Sequence, residues 1–196
     1  MIAGLVLAAG RSTRFGGDKL LAPLGGRPVI RWTAEAIAGA VDRMYVVAPP
    51  SPAALVDALH GLSYVVVEHT GRDEGMGSSI RAGIASLDAD VQAIVIALGD
   101  QPLVASSVVR QLGAAWRSCR GRAVVPVYHD GEGHPVLFGR DCFAALVARR
   151  GDGGARPVLE ALGDDVCRLT VAGMMPRGAD TPDALADIAL TLLRLP

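Results

Sequence analysis

The chain begins with an apolar segment that runs directly into a glycine-rich, basic loop. Residues 2–9 (IAGLVLAA) carry no polar side chain, which predicts a buried strand. Residues 10–19 (GRSTRFGGDK) combine glycines with Arg11, Arg14 and Lys19. Glycine lets the backbone approach an anion closely, so that its N–H groups face phosphate oxygens without an intervening Cβ. A strand followed by such a loop predicts a polyphosphate-binding site.

This loop matches neither of the two best-known phosphate-binding motifs. The P-loop, GxxxxGK[ST], requires a serine or threonine after the lysine, and none follows Lys19. The dinucleotide motif, GxGxxG, requires a second glycine where this chain has Ser12. The loop therefore indicates a phosphate-binding loop of another class, with a solvated basic loop as the alternative.

Length and composition predict one domain, residues 1–196. The strand–helix rhythm changes after about residue 120, which predicts a phosphate- and nucleotide-binding part at about 1–120 and a lid or acceptor-binding part with a closing helix at about 121–196. Half of the residues are apolar and only 4% are aromatic, as in parallel strands covered by helices. The net charge of −1 provides no field that would attract nucleic acid or an anionic membrane. No apolar run approaches the ~20 residues of a membrane span, so we expect neither partner.

The cysteines are few and scattered. Cys119, Cys142 and Cys167 are odd in number and form no CxxC pair. This pattern favours a reducing compartment and argues against a structural zinc site. Because residues 2–9 also lack the basic start and polar cleavage region of a secretory leader, we expect the protein to be cytoplasmic.

Strands and helices are predicted to alternate along the first two thirds of the chain, which indicates an α/β fold with a mostly parallel sheet and right-handed crossovers. The predicted strands are 2–9, 43–48, 63–67, 93–98, 123–128, 135–138 and 166–171. The predicted helices are 28–40, 52–60, 78–87, 104–117, 141–149, 155–162 and 182–195. The short spacing between 123–128 and 135–138 predicts a hairpin or an excursion there instead of another crossover.

Asp100 follows the predicted strand 93–98 and should lie at the same sheet edge as Gly10. Open parallel sheets bind ligands beyond the carboxyl ends of their strands, which is why these residues are expected in one site. A carboxylate at that edge suits Mg²⁺, which usually takes one or two protein carboxylates together with substrate phosphates. The alternative is that Asp100 caps the next helix or forms a turn.

Five segments, in order along the chain, resemble the signature of nucleotidyltransferases built on a Rossmann-like domain. Within that superfamily they are most similar to the molybdenum-cofactor branch, the cytidylyltransferases and guanylyltransferases that join a nucleotide to molybdopterin. The resemblance implies a Rossmann-like three-layer α/β sandwich of the nucleotide-diphospho-sugar transferase type. The segments are LAAGRSTRFGGDK (7–19), GMGSSIRAG (75–83), LGDQP (98–102), GHPVLF (133–138) and GDGGAR (151–156).

The resemblance also implies roles for the charged residues. Asp100 would hold the Mg²⁺ that bridges the nucleotide phosphates, while Arg14 and Lys19 would contact the triphosphate. Arg14, Lys19 and Asp100 are therefore the predicted catalytic residues. Asp180 is the candidate second metal ligand, although an Asp-Thr-Pro sequence before a helix also fits an N-terminal cap.

Nucleotide binding is expected to involve the end of the first strand, the basic loop and the serines that begin the helix at 78. The serines also fit helix capping, and both roles can coexist. The predicted nucleotide-binding residues are Leu7, Ala8, Ala9, Gly10, Arg11, Lys19, Ser78, Ser79 and Asp100. Guanylyl-transferring relatives resemble LAGG where this chain has LAAG, so the methyl group of Ala9 favours CTP over GTP. One methyl group in a pocket contributes roughly 1–3 kcal/mol.

The acceptor side is predicted to involve His134, Pro135 and Arg156. The attacking phosphate is already ionised at neutral pH, so His134 is expected to position the acceptor and not to act as a base. The predicted reaction is Mg²⁺-dependent transfer of CMP from CTP to the terminal phosphate of molybdopterin, with release of pyrophosphate. The alternatives are a guanylyltransferase that uses GTP, and transfer to another small phosphate acceptor. A non-catalytic protein that delivers the cofactor to a molybdoenzyme apoprotein is the alternative from another class.

Overall fold

The computed structural model describes residues 1–71, 74–149, 151 and 153–194. Its strands are β1 (Ile2–Leu7), β2 (Pro23–Leu24), β3 (Arg27–Pro28), β4 (Arg43–Ala48), β5 (Val65–Glu68), β6 (Ala93–Leu98), β7 (Ala123–Tyr128), β8 (Gly131–Glu132), β9 (Val136–Gly139) and β10 (Val166–Thr170). Its α-helices are α1 (Val29–Ala38), α2 (Ala53–Ala58), α3 (Met76–Ala85), α4 (Ser106–Ser118), α5 (Phe143–Val147), α6 (Arg156–Leu162) and α7 (Pro182–Leu192). Within these ranges, none of the helices combines the length and the apolar character needed to cross a membrane.

The main sheet has the strand order β10-β7-β9-β6-β1-β4-β5, and β8 pairs with β7 outside this path. β1 lies at its centre and pairs in parallel with both β4 and β6. β9 is antiparallel to both of its neighbours, β6 and β7. The predicted mostly parallel sheet is confirmed, and so is the change of pattern after about residue 120.

Helices cover both faces of the sheet and form the predicted three layers. α1, α2 and α4 pack on one face, whereas α3, α5 and α6 pack on the other. α7 packs against the outside of α1 through a small cluster around Ile188 and Val29. Because side chains alternate along a strand, Ala8 belongs to the α1 side and Ala9 to the α3 side.

α3 lies unusually close to β1 at Gly83. A Cβ on Gly83 would lie 2.4 Å from Cδ1 of Leu5, which is fully buried. We expect Gly83→Ala to destabilise the fold by about 1–3 kcal/mol, because overpacking outweighs the helix preference of alanine. In α4, Gly113→Ala is the matched control, since its new Cβ would meet only the flexible end of Ile2 at 3.3 Å and the Arg117 side chain at 3.5 Å. Thermal unfolding midpoints compare the two, and a Gly83 variant as stable as the control would contradict the prediction.

The cysteines depart from the sequence-based expectation. Cys119, directly after α4, forms a disulfide with Cys167 on β10, and their Cα atoms lie 6.7 Å apart. Cys142 is free and buried. Since the expected reducing compartment rested on unpaired cysteines, the cysteine pattern no longer supports it. The two bonded cysteines are 48 positions apart, so no local sequence pattern predicts that they pair.

Each of the seven predicted helices shifts by one to three residues at one or both ends, and two of them illustrate the differences. The helix expected at 141–149 is a 3-10 turn at Arg140–Cys142 followed by the short α5. The helix expected at 182–195 ends at Leu192, and residue 195 lies outside the described residues. The β2–β3 ribbon was not predicted.

Candidate functional site

A cavity of about 540 Å³ opens at the carboxyl edge of β1 and β6. Four segments form it: the glycine-rich loop after β1, the start of α3, the turn after β6 and the segment before α7. The sequence-predicted residues that line it are Leu7, Ala9, Gly10, Arg11, Arg14, Lys19, Ser79, Asp100 and Asp180. The structure therefore brings most of the predicted nucleotide- and metal-binding residues to one place. Ala8 instead lines a smaller cavity of about 280 Å³ on the other side of the loop.

A cluster of four charged side chains lies in this cavity. Nζ of Lys19 donates hydrogen bonds to Oδ2 of Asp100 and to Oδ1 of Asp180, the latter at 2.7 Å. Nη2 of Arg14 lies 3.4 Å from the same oxygen of Asp180. The side chains of Lys19 and Asp100 are 13% and 15% exposed, whereas that of Asp180 is 42% exposed. Lys19 is thus the link between two carboxylates that are far apart in the sequence.

The contacts within the cluster shift the pKa values of Lys19 and Asp180 toward their charged forms. Partial burial opposes the charge of Lys19, but the hydrogen bonds to Asp100 and Asp180 outweigh it and raise the Lys19 pKa. The hydrogen bond from Lys19 lowers the pKa of Asp180 below its ordinary value, although desolvation acts in the opposite direction. The basic loop is therefore not simply solvated, because Lys19 forms a defined ion pair with the acidic edge of the sheet.

Backbone hydrogen bonds hold the two carboxylates in place. The N–H of Gly99 donates to the Leu7 carbonyl at 3.0 Å, which ties the turn after β6 to the end of β1. The N–H of Ala179 donates to the Asp100 carbonyl at 2.9 Å, which ties the segment before α7 to the same turn. A Cβ on Gly178 would lie 3.4 Å from Oδ2 of Asp100 and 3.5 Å from Oδ2 of Asp180. The absence of a side chain at Gly178 keeps open a space beside Oδ2 of each carboxylate.

Neither aspartate serves as a helix cap. Thr181 caps α7, because its side chain accepts a hydrogen bond from the N–H of Ala184 at 3.1 Å. α4 begins at Ser106 with Ala105 as its N-cap residue, well after Asp100. Asp100 and Asp180 are therefore available as metal ligands. The described part of the chain holds no cluster of three or more His, Cys, Asp or Glu with metal-site geometry. Two carboxylates nevertheless fit Mg²⁺, which completes its octahedron with water and phosphate oxygens.

The two serines of α3 face different surroundings. Ser79 lines the cavity. The buried hydroxyl of Ser78 donates to the Gly75 carbonyl at 2.7 Å and lies 2.9 Å from that of Gly71. Because its hydrogen is engaged there, Nε2 of the buried His69 donates to the Ser78 oxygen across 2.8 Å. His69 has no sequence signature, and its place at the base of the loop that leads to Gly75 emerges only in the folded chain.

Substitution of each serine separates contact with a ligand from support of the loop. Ser79→Ala should raise the KM for the nucleotide by about 2–10-fold, the loss of one hydrogen bond, with an unchanged melting temperature. Ser78→Ala should instead lower stability by about 1–3 kcal/mol, because the N–H of His69 loses its buried acceptor. Steady-state kinetics and thermal unfolding of both variants distinguish the roles. A destabilised Ser79 variant with normal KM would contradict this assignment.

None of the three predicted acceptor residues lines the cavity: His134 is partly buried, Pro135 is buried and Arg156 is exposed. His134 precedes β9, and its ring is near enough to Asp100 to feel that charge. Burial lowers the pKa of His134, while the Ile96 backbone and the Asp100 charge partly oppose this shift. The net lowering of the pKa favours the neutral imidazole. Its Nδ1 is buried and has no hydrogen-bond partner among the described residues. Pro135 is buried beside it. Arg156 begins α6, pairs with Glu160 at 3.1 Å and is 85% exposed, so the structure does not place it in the cavity. Of the predicted GDGGAR segment, Asp152 lies outside the described residues.

Comparison with known proteins adds independent information. Residues 4–166 match the sequence profile of the family described as "MobA-like NTP transferase domain". The chain is 36% identical to a 2-C-methyl-D-erythritol 4-phosphate cytidylyltransferase of Cereibacter sphaeroides over 71% of its own length and 66% of that protein. It is 33% identical to a molybdenum cofactor guanylyltransferase of Cereibacter sphaeroides over 68% of its own length and 65% of that protein. The chain therefore spans just under two thirds of these relatives.

A solved structure extends the likeness over the whole fold. The manganese complex of Rv0371c from Mycobacterium tuberculosis H37Rv superposes with a TM-score of 0.81 at 30% identity. The match covers 97% of this chain and 98% of that one. A structural relative that binds a divalent cation is consistent with the carboxylate pair found here.

Proposed function

Because the chain belongs to the MobA-like NTP transferase family, we propose that it transfers CMP from CTP to the terminal phosphate of molybdopterin. The observation that carries this proposal is the cavity in which a glycine-rich loop, Lys19 and two carboxylates converge. A phosphate oxygen of the acceptor attacks the α-phosphorus of CTP, the bond to the β-phosphate oxygen breaks, and pyrophosphate leaves. We further propose that residues 1–196 act as one unit, with the acceptor side after about residue 120.

The residues of the cavity supply what phosphoryl transfer needs, namely positioning and positive charge. Gly10 brings the backbone close to the phosphates, and Arg11, Arg14 and Lys19 neutralise them. Asp100 and Asp180 would hold Mg²⁺, which when bound neutralises charge on the phosphates and orients them. The acceptor phosphate is already an anion, so no side chain must remove a proton from it. A neutral His134 suits a positioning role better than that of a base.

We propose that Ala9 determines the nucleotide preference. Ala9 lines the cavity together with Gly75 and Ser79. The relatives include both cytidylyl- and guanylyl-transferring proteins, so the choice of base has to be argued from this chain. Ala9 adds a methyl group where a larger purine would lie. The same cavity would also admit CTP for transfer to another small phosphate, and the 36% identity to a methylerythritol phosphate cytidylyltransferase favours that as the second candidate.

Ala9→Gly should reduce the preference for CTP over GTP by about 5–150-fold, since one methyl group contributes roughly 1–3 kcal/mol. It should not create an efficient GTP enzyme, because hydrogen bonds to the guanine edge need groups that one deletion cannot supply. Dissociation constants for both nucleotides on both proteins test this. A wild type that already prefers GTP would overturn the CTP proposal, and an unchanged ratio in the variant would place selectivity elsewhere.

The proposed activity is tested in two steps. Thermal shift with CTP, GTP, ATP and UTP in the presence of Mg²⁺ should give the largest stabilisation with CTP. Pyrophosphate release is then measured with CTP and either a molybdopterin or a methylerythritol phosphate acceptor. Release with molybdopterin supports the proposal, and release only with the second acceptor supports the alternative. Tight CTP binding without release would favour a cofactor-delivery protein, whose partner would be a molybdoenzyme apoprotein.

We propose the cytoplasm as the location, because it supplies nucleoside triphosphates. The Cys119–Cys167 disulfide argues in the other direction, since such bonds are rare there. Counting free thiols in protein isolated under alkylating conditions decides the redox state in the cell.

A further inference from the structure

The carboxylates that would hold a metal already have a cation between them. Lys19 bonds to Oδ2 of Asp100 and Oδ1 of Asp180 at once. Gly178 leaves open a space that is bordered by Oδ2 of Asp100 and Oδ2 of Asp180, so a divalent cation held there would share Oδ2 of Asp100 with the ammonium group of Lys19. Two cations on one carboxylate oxygen repel each other at close range. The metal therefore competes with Lys19 for this oxygen, and it binds best when Lys19 moves away.

We propose that Lys19 is the resident counter-ion of Asp100 and Asp180, and that the nucleotide triphosphate draws it away so that the metal can bind. Metal and nucleotide then bind cooperatively, with Lys19 as the coupling element. This inference rests on the proposed function, in which the cavity takes a nucleotide triphosphate.

Lys19 lies close to the part of the cavity where the phosphates are expected to bind. It lies in the same cavity wall as Arg14 and Gly10, where phosphates are expected. Lysine carries a compact charge on a flexible four-carbon stem, so its ammonium can exchange one anionic partner for another within reach. Phosphate oxygens would replace the carboxylates as its partners. The exchange removes the cation from Asp100 and leaves Asp180 with its 3.4 Å contact to Arg14, and the uncompensated negative charge favours a divalent ion.

Arg14 cannot act as the counter-ion of both carboxylates. Its side chain is 75% exposed, and of the two carboxylates it contacts Asp180, at 3.4 Å. Asp100, the more buried carboxylate, is bonded to Lys19. Arg14 is therefore the matched control, because removing it deletes a nearby positive charge without vacating the space between the two carboxylates.

The test measures metal affinity and does not depend on turnover. Free Mn²⁺ is counted by electron paramagnetic resonance in titrations of wild type, Lys19→Met and Arg14→Met without nucleotide. Lys19→Met should bind Mn²⁺ about tenfold or more tightly than wild type, a typical size for coupling between sites, and Arg14→Met should differ from wild type by much less. An unchanged or weaker affinity in Lys19→Met overturns the proposal, as does an equal gain in both variants.

A second titration covers the case in which Lys19→Met does not fold. Wild type is titrated with Mn²⁺ in the presence of α,β-methylene-CTP, after correction for the Mn²⁺ that this analogue binds without protein. Wild type should gain at least about tenfold in Mn²⁺ affinity when the analogue is present, and this comparison requires no Lys19 variant. Equal Mn²⁺ affinity with and without the analogue overturns the proposal. Failure of wild type to release pyrophosphate would reject the proposed reaction alone, because the nucleotide-free comparison requires no substrate.

Discussion

Asp100→Asn is expected to lower turnover by about a thousandfold while leaving the fold intact. The substitution keeps the size of the side chain but removes the charge that bonds to Lys19 and would hold Mg²⁺. Loss of one preorganised electrostatic group typically costs 10²–10³-fold in rate, and loss of a metal ligand adds to that. Pyrophosphate release at moderate Mg²⁺ measures the effect, and thermal unfolding checks the fold.

Two further variants sharpen this test. Asp180→Asn should have a smaller effect, because that carboxylate is more exposed than Asp100 and has Arg14 beside it. Asp183→Asn is the matched control, since Asp183 lies in the first turn of α7 and outside the cavity lining. Near-normal turnover in Asp100→Asn would reject its assignment as a metal ligand. Loss of turnover together with a large fall in melting temperature would show that Asp100 mainly stabilises the turn.

The central strands were predictable because their sequences are short apolar runs between polar or glycine residues. β4, β6 and β7 begin and end where the sequence places them. The conformation of the segment after β9 was not predictable, because tertiary contacts determine it. The N–H of Arg140 donates to the Gln92 carbonyl at 2.7 Å, and its guanidinium donates to the Val91 carbonyl at 2.6 Å. These bonds anchor the chain to the start of β6 and leave a 3-10 turn where helical periodicity predicted a longer helix.

The sheet edge of the site was predictable from a general rule, whereas its internal pairing was not. Gly10 and Asp100 follow strands that proved to be neighbours in parallel, so the rule for open sheets brought them together. The position of Lys19 between Asp100 and Asp180 depends on how the segment before α7 folds back. The disulfide likewise depends on the pairing of β10 with β7, which brings Cys167 near the end of α4. Contacts of that range leave no periodic pattern in a single sequence.

The second large effect is expected at Lys19. Lys19→Met keeps the length of the side chain and removes its charge, so it should lower kcat by about 100-fold and raise the KM for CTP. The ammonium group is expected to contact the phosphates in the ground state and to stabilise the charge that grows on pyrophosphate as it leaves. Lys19→Arg restores a positive charge in a planar group and should recover only part of the rate, because a guanidinium does not reproduce a compact point charge.

The kinetics of Lys19→Met and its Mn²⁺ affinity together distinguish two roles for Lys19. If Lys19 acted only by holding the carboxylates in place, its loss would lower both the affinity for the metal and the rate of the reaction. If Lys19 exchanges with the metal and then serves the phosphates, the Met variant should bind Mn²⁺ more tightly and still turn over more slowly. Excess Mg²⁺ would then fail to rescue kcat, because the missing group is the phosphate partner and the metal is already bound. Full rescue by Mg²⁺, or an unchanged kcat and KM, would remove Lys19 from the transfer step.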